Sequence, residues 1–211
     1  MSHWEDTYAT TTEAERSWSQ DDAVTSLSWI TASGVGTSQS VVDIGGGASR
    51  LVDGLVAAGY ERVTVVDLSP SALAEAKARV GNRAEFVERD LFSWSPSEPV
   101  SLWHDRAVLH FLTSPQLRMA YGEKVARSVR IGGAVVIACF SHLGPERCSN
   151  LEVERASADD LAKLFGERFR LEESATLLHT TPWGSTQSFT WVRLTFLGEK
   201  RVDADGEAKL H

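Results

Sequence analysis

Cysteine is scarce in this sequence, and so is positive charge. Two cysteines among 211 residues, Cys139 and Cys148, exclude a disulfide-stapled fold, and with six scattered histidines they lack the spacing of a zinc site. Lys and Arg number 21 against 29 Asp and Glu, a formal net charge of −8, which argues against a broad electrostatic footprint on nucleic acid or on anionic membrane. No apolar run is long enough to cross a bilayer, Met1-Ser2-His3 opens no signal-peptide pattern, and no internal repeat is visible. These absences leave the expectation of a cytoplasmic chain, long enough for one well-filled α/β domain and too short for two with a linker.

What is present is organised around Ser40 to Leu51, SVVDIGGGASRL. A short β-branched run closed by an acid reads as a buried parallel strand, and the glycines let the backbone turn sharply and come close to a ligand at a helix start. A second apolar run, Arg62 to Val66, ends in Asp67. An acid at the tip of the second strand is placed to accept both ribose hydroxyls of an adenosine. The dinucleotide fingerprint G-x-G-x-x-G fits Gly45 and Gly47 but finds Arg50 at its third position, which serves a pyrophosphate poorly.

Asp43-x-Gly45-x-Gly47-x-Ser49 instead resembles the D-x-G-x-G-x-[G/S/T] loop of class I S-adenosylmethionine (SAM) dependent methyltransferases, a resemblance spanning roughly Val41 to Phe196. It implies SAM as cofactor and S-adenosylhomocysteine (SAH) as product. It also implies cofactor contacts from Asp43, Gly45, Gly46, Gly47, Asp67, Leu68 and His104. Asp90 and Leu91, just past the third strand, resemble the family's adenine-binding position; the plainer reading of Asp90 is a turn cap.

The remaining chain supports the same outline. Ser69-Pro70 and Ser114-Pro115 each pair a capping serine with a proline at the first helical position, before stripes at Leu73, Ala76, Val80 and at Leu117, Tyr121, Val125, Val129. Helices are also expected from Asp21 or Asp22 to Ile30, from Leu51 to Val56, and after Ser157 with Leu161, Leu164 and Phe165 inward. Gly132-Gly133 should close the helix begun at Pro115, so that an apolar, central strand runs from Ala134 to Phe140. The fourth strand should be Val100 to Trp103. Two final runs, Phe169 to Leu178 and Gln187 to Leu197, are joined through Thr181-Pro182-Trp183-Gly184 without a helix and so must be antiparallel.

The fold expected is a three-layer α/β sandwich with a seven-stranded, mostly parallel, doubly wound sheet and an antiparallel C-terminal hairpin. Residues 1–39 form an arm and helix packed on the domain, 40–197 the methyltransferase domain, and 198–211 a disordered or added tail. The function implied is methyl transfer from SAM to a small-molecule acceptor by in-line displacement. Protein lysine methylation, a non-catalytic SAM-binding module and an NAD-dependent oxidoreductase are the alternatives. His104, Asp105 and His110 are the candidate bases, although a structural role competes for His110 and an acceptor that is already anionic needs no base. Tyr8, Trp18, Arg106, His142 and Cys148 are the candidate acceptor contacts. The aromatic arm carrying Trp4, Tyr8 and Trp18 resembles the cofactor-covering arms of several methyltransferase subfamilies, and Cys148 is read as a filler rather than a nucleophile. The oligomeric state is left open.

Overall fold

The computed structural model describes residues 3–19 and 23–199, with two further strand pieces at 201–202 and 208–209. Nine strands carry the fold: β1 (Ser40–Ile44), β2 (Arg62–Asp67), β3 (Glu85–Glu88), β4 (Val100–Arg106), β5 (Val129–Phe140), the short pair β6 (Arg147–Cys148) and β7 (Leu151–Glu152), β8 (Phe169–Thr180) and β9 (Thr186–Phe196). Seven form one sheet in the order β3-β2-β1-β4-β5-β9-β8. The first five are parallel, and β9 runs antiparallel to both of its neighbours.

The period of two along each strand feeds two apolar layers. Val41, Val63, Val65 and Leu102 face α2 (Val24–Ala32), α3 (Leu51–Ala57) and α4 (Pro70–Val80) through Ile30, Leu55 and Leu73. Val42, Ile44, Val66 and Trp103 face α5 (Pro115–Ser128) and α6 (Ala158–Phe165) through Tyr121, Val125 and Leu161. The helix starts obey their local signals. Ser69 and Ser114 each accept the amide three residues on, with proline at the next position, and Ser157 with Asp160 forms a reciprocal capping box.

Several boundaries differ from the sequence expectation. β4 continues to Arg106, so His104 and Asp105 are strand residues with partners on both sides. The helix begun at Pro115 ends at Ser128, and β5 starts at Val129 with Gly132-Gly133 inside it rather than at Ala134. α2 begins at Val24 rather than at Asp21 or Asp22. Asp21, Asp22 and most of the 198–211 tail lie outside the described residues. No helix among the described residues is long and apolar enough to cross a membrane.

Candidate active site

Right-handed crossovers bring the ends of β1, β2, β3 and β4 to one edge of the sheet, and the glycine loop caps that edge. The amide of Gly45 donates to the Val66 carbonyl at 2.7 Å, and Gly45 and Gly47 hold φ of +64° and +46°. Each glycine is crowded by a different neighbour. A Cβ at Gly45 would stand 2.1 Å from Val108 Cγ2, at Gly46 2.3 Å from Asp43 Oδ2, and at Gly47 2.8 Å from the Tyr8 hydroxyl and 3.0 Å from Asp67 Oδ2.

Beneath the loop, His104 Nδ1 lies 2.7 Å from Asp43 Oδ1 and His104 Nε2 lies 3.1 Å from Ser26 Oγ, with all three residues buried. A carboxylate only accepts, so Nδ1 donates. The pair ties β1, β4 and α2 together under the turn.

Above the loop is a cavity of about 220 Å³. Asp67, Leu68 and Gly45 line it alongside Asp90, Leu91 and Phe92. Ser69 N–H donates to Asp67 Oδ1 at 2.9 Å, yet burial outweighs the amide donors and raises the Asp67 carboxyl to about 6. Asp90 Oδ1 accepts the amides of Phe92 (2.9 Å) and Ser93 (3.3 Å), so the residue caps its own turn while lining the cavity. A smaller polar recess of about 50 Å³ shares Tyr8, Trp18, Gly45 and Arg106 with the cavity and reaches Asp43, Ser26 and His104.

The roof is the N-terminal arm. Helix α1 (His3–Thr10) lies against α4, where the Glu5 carboxylate accepts the hydroxyls of Ser69 and Ser71. Arg16 pairs with Glu75 at 3.0 Å and donates to the Tyr8 and Thr11 carbonyls. Trp18 Nε1 donates to the Tyr8 hydroxyl at 3.2 Å, and Trp4 meets Phe111 and Trp18 edge-on at centroid distances of 4.9 and 5.9 Å. Burial, and next the charge of Asp67, push the Tyr8 hydroxyl well above the ordinary tyrosine range.

Four of the five candidate acceptor contacts, Tyr8, Trp18, Arg106 and Cys148, line this cavity. His142 does not: it is exposed, bonded to Asp160 at 3.0 Å, and borders a separate depression beside Leu143 and Ser157. Asp105 and His110 are fully buried and outside the lining. Asp105 accepts the Tyr121 hydroxyl at 2.6 Å and the amides of Val108 and Leu109, and burial raises it to about 6. Burial, with the neighbouring Arg106 charge, depresses His110 to about 3. Sequence reasoning passed over Ser26 and Phe111. Ser26 stands four residues before Ile30 on the inward stripe of α2, which was the available signal; Phe111 carried none beyond its aromatic ring.

Residues 41–133 match the family model for a methyltransferase domain. That segment runs from β1 into β5 and carries the glycine loop and Asp67, and the sheet that contains it has the class I SAM-dependent methyltransferase fold. No protein of curated function matches it in sequence. Among solved structures, the fold is similar to that of an enzyme described in the conversion of a disulfide bond into a thioacetal group during echinomycin biosynthesis, at TM-score 0.73 and 19% identity, covering 92% of this chain and 90% of that one. It is also similar to the 1,6-didemethyltoxoflavin-N1-methyltransferase of Burkholderia thailandensis (TM-score 0.66, 22% identity, 83% and 79% covered). The SAH complex of the N-methyltransferase NodS from Bradyrhizobium japonicum WM9 gives TM-score 0.66 and 16% identity, with 84% and 89% covered.

Proposed function

We propose that this enzyme methylates a small molecule held in the cavity beneath the N-terminal arm. The observation that carries the reading is the cavity itself: an acid at one end, glycine-loop backbone along one side, and a roof of Trp4, Tyr8 and Trp18 over apolar walls. A small, mostly apolar cavity with aromatic side chains over it favours a small acceptor over a lysine side chain of a polypeptide. The similar toxoflavin enzyme, solved with 1,6-didemethyltoxoflavin and SAH, is described as acting on a small molecule as well.

In this reading Asp67, with Leu68 beside it, accepts the ribose hydroxyls and Asp90 with Leu91 meets the adenine. Gly45, Gly46 and Gly47 admit the methionyl end into the polar recess, where Asp43 and His104 support the loop from below. When bound, SAM supplies a methyl group already activated by its positively charged sulfur. The arm would exclude water and hold the acceptor atom where it can take that methyl group, with SAH as the product. The candidate bases are engaged elsewhere. Both ring nitrogens of His104 and both carboxylate oxygens of Asp105 have partners, while His110 is buried outside the cavity lining, accepts the Phe140 amide at Nδ1, and is left a weak base by burial. Catalysis then rests on positioning, with proton loss to solvent or from an acceptor already ionised.

Calorimetric titration with SAH and with NADH, followed by a metabolite screen with methyl-labelled SAM, tests the proposal. Micromolar SAH binding and label transfer to a small molecule are expected. Binding of NADH in place of SAH, or SAH binding without transfer to any acceptor, sinks it.

A further inference from the structure

Arg106, the last residue of β4, is an isolated cation. Its Nη1 donates to the Trp18 carbonyl at 3.0 Å and its guanidinium carbon stands 5.3 Å over the Phe189 ring, while Nη2 is buried with no partner. Among the described residues, no carboxylate comes within ion-pair distance of it. Asp43, whose charge reaches it without contact, is already bonded to His104. Its other titratable neighbours bring no negative charge. Burial raises the Cys148 thiol to about 11 and lowers His110 to about 3, while His179 is held below its ordinary range by burial and then by Arg106 itself.

A guanidinium stays charged at neutral pH even when burial brings it down to about 10, and a buried charge without a counterion is costly. Yet Arg106 lines both the main cavity and its polar recess and retains some exposure there. A structural arginine at this depth is ordinarily matched by an acid within the fold. Among the described residues no acid forms that pair with Arg106, and the cavity it lines is open to a matching charge.

We infer that the acceptor carries an anionic group, a carboxylate or a similarly flat oxyanion, and that Arg106 is the residue that reads it. The inference rests on the reading of the cavity as a methyltransferase acceptor site. The planar fork of the guanidinium suits a two-oxygen anion, and the surrounding Trp4, Trp18 and Phe111 suit an aromatic or otherwise flat body. Because Nη1 already holds the Trp18 carbonyl, an anion on the same guanidinium is bound only while the arm is down. Recognition of the acceptor and closure of the roof become one event.

The probes are benzoate, phenylacetate and indole-3-carboxylate against their uncharged amides, each added to the full-length protein saturated with SAH, with melting temperature and calorimetric affinity as readouts. Carboxylates should stabilise the protein and the amides should not, with at least about a tenfold affinity gap, the loss expected when a charge-assisted pair is replaced by a neutral contact. Arg106→Met should abolish the gap and Arg106→Lys should restore part of it. The methionine variant also separates binding from scaffolding: without ligand it should melt at or above the wild-type temperature, since it removes an uncompensated charge, whereas an arginine kept to hold the arm would make it melt lower. Equal responses to acids and amides, no response to either, or a gap that survives Arg106→Met overturns the inference. Failure of SAH to bind at the outset instead overturns the methyltransferase reading beneath it.

Discussion

The Tyr8 hydroxyl stands over the Cα of Gly47 so closely that a single added carbon there would lie 2.8 Å from it. The roof of the site and its floor are therefore fitted to each other through the one side chain that Gly47 lacks.

Gly47→Ala should lower SAH affinity by at least about tenfold, because the new methyl group meets both Tyr8 and Asp67 and strains a backbone at φ +46°. Gly45→Val should be worse, since its Cβ would meet Val108 Cγ2 at 2.1 Å. Calorimetry on folded variants reads both. Unchanged affinity in Gly47→Ala would separate the loop from the site.

Asp67 should give the site a pH dependence of known sign. Its carboxyl, raised from 3.8 to about 6, holds its proton longer in the folded chain than in the unfolded one. The contribution to stability is therefore full below the unfolded value and is lost as pH rises through about 6. Asp67→Asn should gain the ligand-free protein up to about 2–3 kcal/mol at neutral pH while weakening SAH binding, since charge-assisted acceptance of two hydroxyls is lost. Wild-type SAH affinity should fall about tenfold for each pH unit below about 6, a slope absent in Asp67→Asn. Calorimetry across that range, paired with denaturant titration, checks both signs.

Asp43→Ala should be destabilising by about 3–5 kcal/mol, the usual consequence of stripping one partner from a buried pair and leaving the other unsatisfied. Ser26→Ala, which removes only the hydroxyl bonded to His104 Nε2, should cost about 1 kcal/mol. Chemical denaturation gives the ranking, and equal effects would mean that His104 is not held from both sides.

Deleting residues 1–18 should leave a folded sheet that releases SAH faster and loses acceptor turnover by at least about tenfold, since the arm supplies the roof and three aromatic walls. If release and turnover both stay at wild-type rates, the arm is a structural strap only.

The parts of this fold that could be read in advance are those whose signal is local. Ser69-Pro70, Ser114-Pro115 and Ser157 announce their helices locally. The glycine loop and Asp67 likewise stand at strand ends marked by β-branched runs. Gly132-Gly133 misled because the same residues that end a helix also permit a crowded strand: a Cβ at Gly133 would lie 2.6 Å from Val129 Cγ1 and 2.8 Å from the Arg130 carbonyl. His104 and Asp105 read as a reactive cluster beyond a strand because their satisfaction is remote. Asp43 and Tyr121 become their partners only after the sheet and α5 assemble. Charged residues in a row carry no mark that separates chemistry from long-range bonding.

Two segments remote in sequence meet beside the Arg106 side of the cavity. His179 Nε2, near the end of β8, donates to the Ser17 carbonyl at 2.7 Å, and the adjoining Trp18 carbonyl takes Arg106 above Phe189 of β9. The β8–β9 hairpin thus lies behind the Arg106 and Trp18 side of the cavity and holds both in place. The arm above the cavity is thus tied to a hairpin more than 160 positions away, so that loosening either segment should loosen the other. Bound acceptor should slow amide exchange in α1 and in β8 together, as a single cooperative unit, although no backbone ladder joins them.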